Sequence, residues 1–141
     1  APGKVCMRRE WRYERQGKQG GHGSVFLFDP AKHPFLYEEF AADPAAAVAA
    51  HKGSEQYYTS MTAHRHGELT YWPGEWISSF KRDAMRVFPF NRFQEPRLPE
   101  TCRVMCFHGT PKMEEALEGW KNLRRGTRPA TWLARDWLWG E

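Results

Sequence analysis

No apolar run in the sequence approaches the roughly 20 residues that cross a bilayer, so no transmembrane segment is expected. A secretory signal is not expected either, because Lys4, Arg8, Arg9 and Glu10 interrupt the opening before an apolar stretch can form. Cysteine is scarce, and three residues, an odd number, supply no disulfide framework. Cys102 and Cys106 stand four apart at the start of an expected strand. A rise of roughly 3.3 Å per residue separates their Cα atoms by about 13 Å, beyond disulfide reach. A reducing compartment, the cytoplasm, is therefore the expected location. Internal repeats, an Asp-x-Asp and any nucleic-acid-binding motif are also missing.

What the sequence does have is aromatic side chains, 15% of its 141 residues. The mean hydropathy is only −0.77, so these rings are scattered among charges. An aromatic core and an extended, sugar-sized binding surface both produce that pattern, the core more commonly. The length suits one domain or a domain fragment with a real core. A net charge of +4 and an isoelectric point near 9.1 favour anionic partners. The basic residues are densest in the first fifteen positions, in 80–86 and in 121–128, where solvated faces are the ordinary explanation. Nucleic acid is not the expected partner.

The pattern of apolar and turn residues predicts a mixed α/β chain. Val5-Cys6-Met7 reads as a short strand, and Gln19-Gly20-Gly21-His22-Gly23 as a loop, because glycine at that density gives the backbone too much freedom. Its glycines lack P-loop spacing and no Lys-Ser/Thr follows. Ser24-Val25-Phe26-Leu27-Phe28 predicts a buried strand stopped by Asp29-Pro30. Helices are predicted from Pro34, with Phe35, Leu36 and Phe40 on one face, from Asp43-Pro44 and from Ser54. His64 and His66 fall in a loop with nothing nearby to complete a metal site. Two extended segments are expected around the turn Pro73-Gly74, then a long wrapping loop over 88–99. Met113 to Trp120 reads as a helix. Trp132, Leu133, Trp137, Leu138 and Trp139 read as a closing amphipathic helix in an aromatic cap over 121–141, with a packed cap preferred to a membrane surface.

The most informative stretch is Arg103-Val104-Met105-Cys106-Phe107-His108-Gly109-Thr110-Pro111-Lys112. An apolar strand that ends on His, Gly and Lys delivers polar groups to its carboxyl edge, where open α/β sheets bind ligands. A neutral imidazole suits a divalent metal and a lysine neutralises phosphate oxygens, a pairing that makes sense around a metal-bound diphosphate. On spacing alone, a structural histidine is the commoner outcome.

Phe107-His108-Gly109-Thr110-Pro111-Lys112, followed by a helix and Trp120, resembles the C-terminal metal and diphosphate motif of metal-dependent nucleotide-sugar glycosyltransferases with the GT-A fold. Three more segments occur in matching order. Ser24-Val25-Phe26-Leu27-Phe28 with Tyr37-Glu38-Glu39-Phe40 is similar to the strand and helix that follow the family's Asp-x-Asp. Ser54-Glu55-Gln56 stands where bacterial members show Gly-Asp-Gln, and Tyr71-Trp72-Pro73-Gly74-Glu75-Trp76-Ile77-Ser78-Ser79-Phe80-Lys81 resembles their Trp-Pro…Trp…Ser-Tyr/Phe-Lys segment. The resemblance spans about residues 20–120.

It implies the C-terminal part of a GT-A-like mixed sheet with flanking helices, and transfer of a sugar from a nucleotide-diphosphate donor to a glycan or other acceptor. His108 would be a ligand to a divalent metal, manganese or magnesium. Gly109 and Lys112 would hold the diphosphate, Trp76 would offer an apolar face to the nucleotide-sugar, and Glu55 and Gln56 would be the catalytic pair facing donor or acceptor. Glu55 stands in place of the usual Asp, and the Asp-x-Asp with its nucleotide-binding strands is not in this chain. The alternative expectation is a non-catalytic, glycosyltransferase-like accessory or assembly subunit that meets a protein partner through its aromatic tail.

Overall fold

The computed structural model describes residues 3–137, without the side chain of Trp137. The chain divides into two compact units, one running through Gly74 and the other beginning at Glu75. Both mix short strands with helices, as the sequence predicts for its α/β class.

The first unit is built on β1 (Val5–Arg9), the middle strand of three. It pairs antiparallel with β2 (Gly21–Leu27) and parallel with β3 (Leu69–Tyr71). Strands flank it on both edges, and because successive side chains point to opposite faces, the burial of Val5, Cys6, Met7 and even Arg8 means that both faces are covered as well. The Arg8 guanidinium is retained there by Glu14 at 2.8 Å and by the ring of Trp11 in α1 (Trp11–Glu14), 4.8 Å from the ring centroid.

Two expectations for β2 are corrected. The glycines at 21 and 23 lie within the strand, not in a loop. A Cβ on Gly21 would come within 2.5 Å of the Met7 sulfur, so glycine is there for close strand approach. The segment Ser24 to Phe28 is not buried, since β2 is an edge strand and Phe26, Leu27 and Phe28 remain exposed.

Three helices complete this unit: α2 (Phe35–Ala42), α3 (Pro44–Ala50) and α4 (Glu55–Arg65). Their starts follow the sequence closely. Asp43 accepts from the Ala46 amide at 2.9 Å with Pro44 at the first helical position, and Ser54 Oγ accepts from the Tyr57 amide at 3.3 Å. Lys52 and Gly53, both with positive φ, turn the chain between α3 and α4. The α4 helix reaches Arg65, so His64 belongs to its last turn. Its buried face is the small, partly polar set Ser60, Thr62 and Ala63; Ala63 joins Val5 and Met7 in the core. His66 contacts Glu39 at 2.6 Å and stacks on Phe35, so it acts in packing.

In the second unit β4 (Ile77–Ser79) and β5 (Val104–Cys106) form a parallel pair in the register Ser79↔Cys106. The two extended segments flanking Pro73-Gly74 therefore do not pair with each other: β3 joins β1 and β4 joins β5. A π-helical turn, Phe80–Ala84, follows β4, and α5 (Met113–Glu118) and α6 (Thr131–Trp137) close the unit. The core is Phe80, Ala84, Ala116, Ala130 and Leu133, with Phe107 stacked on Phe80 at 4.9 Å between ring centroids. Trp132 and Leu133 pack as expected of a closing helix, while Leu138 and Trp139 lie outside the described residues. No described helix is long and apolar enough to cross a membrane.

Candidate functional site

The polar end of β5 is where sequence and structure meet. Cys106 is buried beside Ser79, the last residue of β4, and the chain then leaves the sheet through Phe107. The stacking of Phe107 on Phe80 fixes this exit, so His108 emerges at the carboxyl end of two parallel strands. Ser79 Oγ lies 2.7 Å from His108 Nε2, and the Ser79 amide donates to Asp83 Oδ2 at 2.7 Å. These contacts hold the half-buried imidazole in one orientation. Ser79 has no solvent exposure, which removes it as a nucleophile toward an external substrate despite its closeness to a histidine.

Gly109 adopts φ of 75°, the left-handed region that glycine enters without strain. An added Cβ would meet only the Lys81 ammonium, at 3.9 Å. The main chain at Gly109 is therefore open to a ligand, with a cation beside it. Lys112 is exposed at the start of α5, and its amide donates to Glu115 Oε2 at 2.7 Å. Trp76, also exposed, stands just ahead of β4, where its carbonyl accepts from the Arg103 amide at 2.8 Å.

His108, Gly109, Lys112 and Trp76 thus belong to the second unit, and Glu55 and Gln56 to the first. Glu55 is exposed in the first turn of α4, while Gln56 Oε1 accepts from the Gly23 amide at 3.1 Å and ties α4 to β2. Gln56 therefore has a structural task, whatever else it does.

Sequence reasoning overlooked two participants at the β5 edge, Ser79 and Lys81. The signal that finds them is the parallel register, which sets the last residue of β4 level with the residue two before His108. Among the described residues no group of three or more His, Cys, Asp or Glu side chains gathers as a metal cage. A lone imidazole would supply at most one ligand to a divalent ion, and a nitrogen ligand suits a transition metal such as manganese better than the oxygen-seeking magnesium. Comparison with protein-family models, curated proteins and solved structures finds no match.

Proposed function

We propose that this chain is a portion of a nucleotide-sugar glycosyltransferase of the GT-A type, with the carboxyl end of β5 as the diphosphate wall of its donor site. The observation that carries the reading is the grouping of the oriented His108 imidazole, the open main chain at Gly109 and the Lys81 ammonium at one edge of a parallel strand pair. A departing nucleoside diphosphate is anionic, and Lys81 and Lys112 would neutralise its oxygens as point charges. Ser79 orients the imidazole through Nε2, and the His108 ring would be the protein's ligand to the metal. A bound manganese or magnesium ion supplies Lewis-acid stabilisation of the charge that develops on the diphosphate. Trp76 would give the donor an apolar face.

Calorimetric titration with manganese and uridine diphosphate tests this. Heat of diphosphate binding that requires manganese and disappears in His108→Ala is expected, with circular dichroism confirming that the variant is folded. Equal affinity in the variant would remove the metal role.

A second reading, a glycosyltransferase-like accessory subunit, is supported by Val87, Phe88, Phe90 and Phe93, large apolar side chains all more than half exposed. On that reading Phe93→Asp abolishes capture of a protein partner and His108→Ala leaves it unchanged.

A further inference from the structure

The first unit contains a partly open cavity of about 550 Å³, whose lining includes one of the candidate residues above, Glu55. Its walls come from the end of β2, from α2 and α3, and from the first turns of α4; Phe26, Phe28, Leu36, Phe40, Val48 and Tyr58 are among the side chains that make them. Neither α2 nor α3 contributes a buried residue to the protein interior. Phe40 of α2 and Val48 of α3 line this space together with Phe26 and Phe28, and remain 39%, 51%, 39% and 38% exposed. Apolar surface left uncovered in a concave site is removed from water when an apolar ligand enters.

A second, independent observation concerns polarity. His33 lines the same cavity and is 2% exposed. Its Nδ1 is anchored on the Asp29 main chain, 3.0 Å from the amide nitrogen and 2.9 Å from the carbonyl oxygen. Its Nε2 is buried and makes no hydrogen bond among the described residues. A buried polar atom without a partner is costly, and a ligand group that reaches it recovers that cost. Whichever tautomer Asp29 selects, Nε2 offers one hydrogen bond, as donor or as acceptor.

We infer that this cavity is a binding site for a small aromatic or acyl molecule that carries a single hydroxyl or carbonyl group for His33. The volume falls within the range of small-molecule sites, and its concave, ring-lined shape favours a compact ligand over a flat protein surface. The exposed lining is mainly apolar and its carboxylate, Glu55, would repel like charge, so a strongly anionic ligand is disfavoured. The inference does not depend on a donor site at β5.

The test uses the full chain and the neutral fluorophore N-phenyl-1-naphthylamine. Saturable binding of one probe per chain with a blue-shifted emission is expected. Phe40→Asp and Val48→Asp change exposed cavity walls and are expected to weaken binding at least tenfold, whereas Leu123→Asp, an exposed residue elsewhere, leaves it unchanged. The hydrogen bond is read separately: 2-naphthol should displace the probe more effectively than 2-methylnaphthalene, and only the naphthol should shift the His33 Nε2 resonance in nitrogen-15 spectra. Absence of saturable binding, equal affinity in both cavity variants, or equal loss in Leu123→Asp overturns the proposal. So does sedimentation showing that the probe merely dissociates a dimer, since the occupant would then be a second copy of the chain.

Discussion

Gly109 and Gly126 show how the same residue type is required for different reasons. At Gly109 the backbone is left-handed and the space around it is open, so Gly109→Ala is expected to cost about 1 kcal/mol of stability through φ alone. At Gly126 a Cβ would come within 2.6 Å of the Asn122 carbonyl oxygen and 2.7 Å of that of Trp120. Backbone cannot yield as a side chain can, and Gly126→Ala is expected to cost more, about 2 to 3 kcal/mol. Urea denaturation of the two variants checks the order. Glu39 gives a pH-dependent counterpart. The hydrogen bond from His66, with the Arg65 guanidinium alongside, holds its carboxyl below the ordinary range. A lowered carboxyl pKa contributes stability above that range and loses it as the pH falls through the lowered value. Glu39→Gln is therefore expected to lower the melting temperature slightly near neutral pH, by the roughly 0.2–1 kcal/mol of an exposed pair. Once the pH falls through that lowered value the difference should vanish.

At the scale of elements, α6 is started by a residue far from it in sequence. Glu95 accepts from the Thr131 amide, from Thr131 Oγ1 at 2.7 Å and from the Trp132 amide at 3.3 Å. These bonds, the Thr131 hydroxyl first, hold its carboxyl below the ordinary range. Glu95→Ala is expected to cost about 1–2 kcal/mol and to fray α6, with Glu95→Gln between the two; amide exchange over 131–137 measures it. Acidification through the lowered pKa should mimic the alanine variant. No local pattern in the sequence announces this cap, because Glu95 and Thr131 meet only through the fold. The caps at Asp43 and Ser54 were legible because their partners lie within the next turn. The strands at 5 and 104 were legible from their apolar runs, but the burial of 24–28 was not. Hydropathy cannot tell an edge strand facing an open cavity from a covered one. At the candidate site, His108, Gly109 and Lys112 could be read from one short segment. Ser79 and Lys81 required the β4–β5 register, which only the tertiary pairing defines.

For the whole molecule, the two units carry separate buried clusters, Val5, Met7 and Ala63 in one and Phe80, Ala84, Ala116, Ala130 and Leu133 in the other. Phe80→Ala removes the largest fully buried side chain among the described residues and is expected to cost about 3–5 kcal/mol. Hydrogen exchange should show the loss of protection concentrated in the second unit. The proposed donor wall lies entirely within that unit, since Ser79, Lys81, His108 and Gly109 all follow Glu75. Its most direct test is paramagnetic broadening of backbone amide resonances by manganese in the presence of uridine diphosphate. Broadening is expected to centre on Ser79, Lys81, His108 and Gly109 and to be lost in a folded His108→Ala variant. Broadening that is uniform, centred elsewhere, or unchanged in that variant would contradict it.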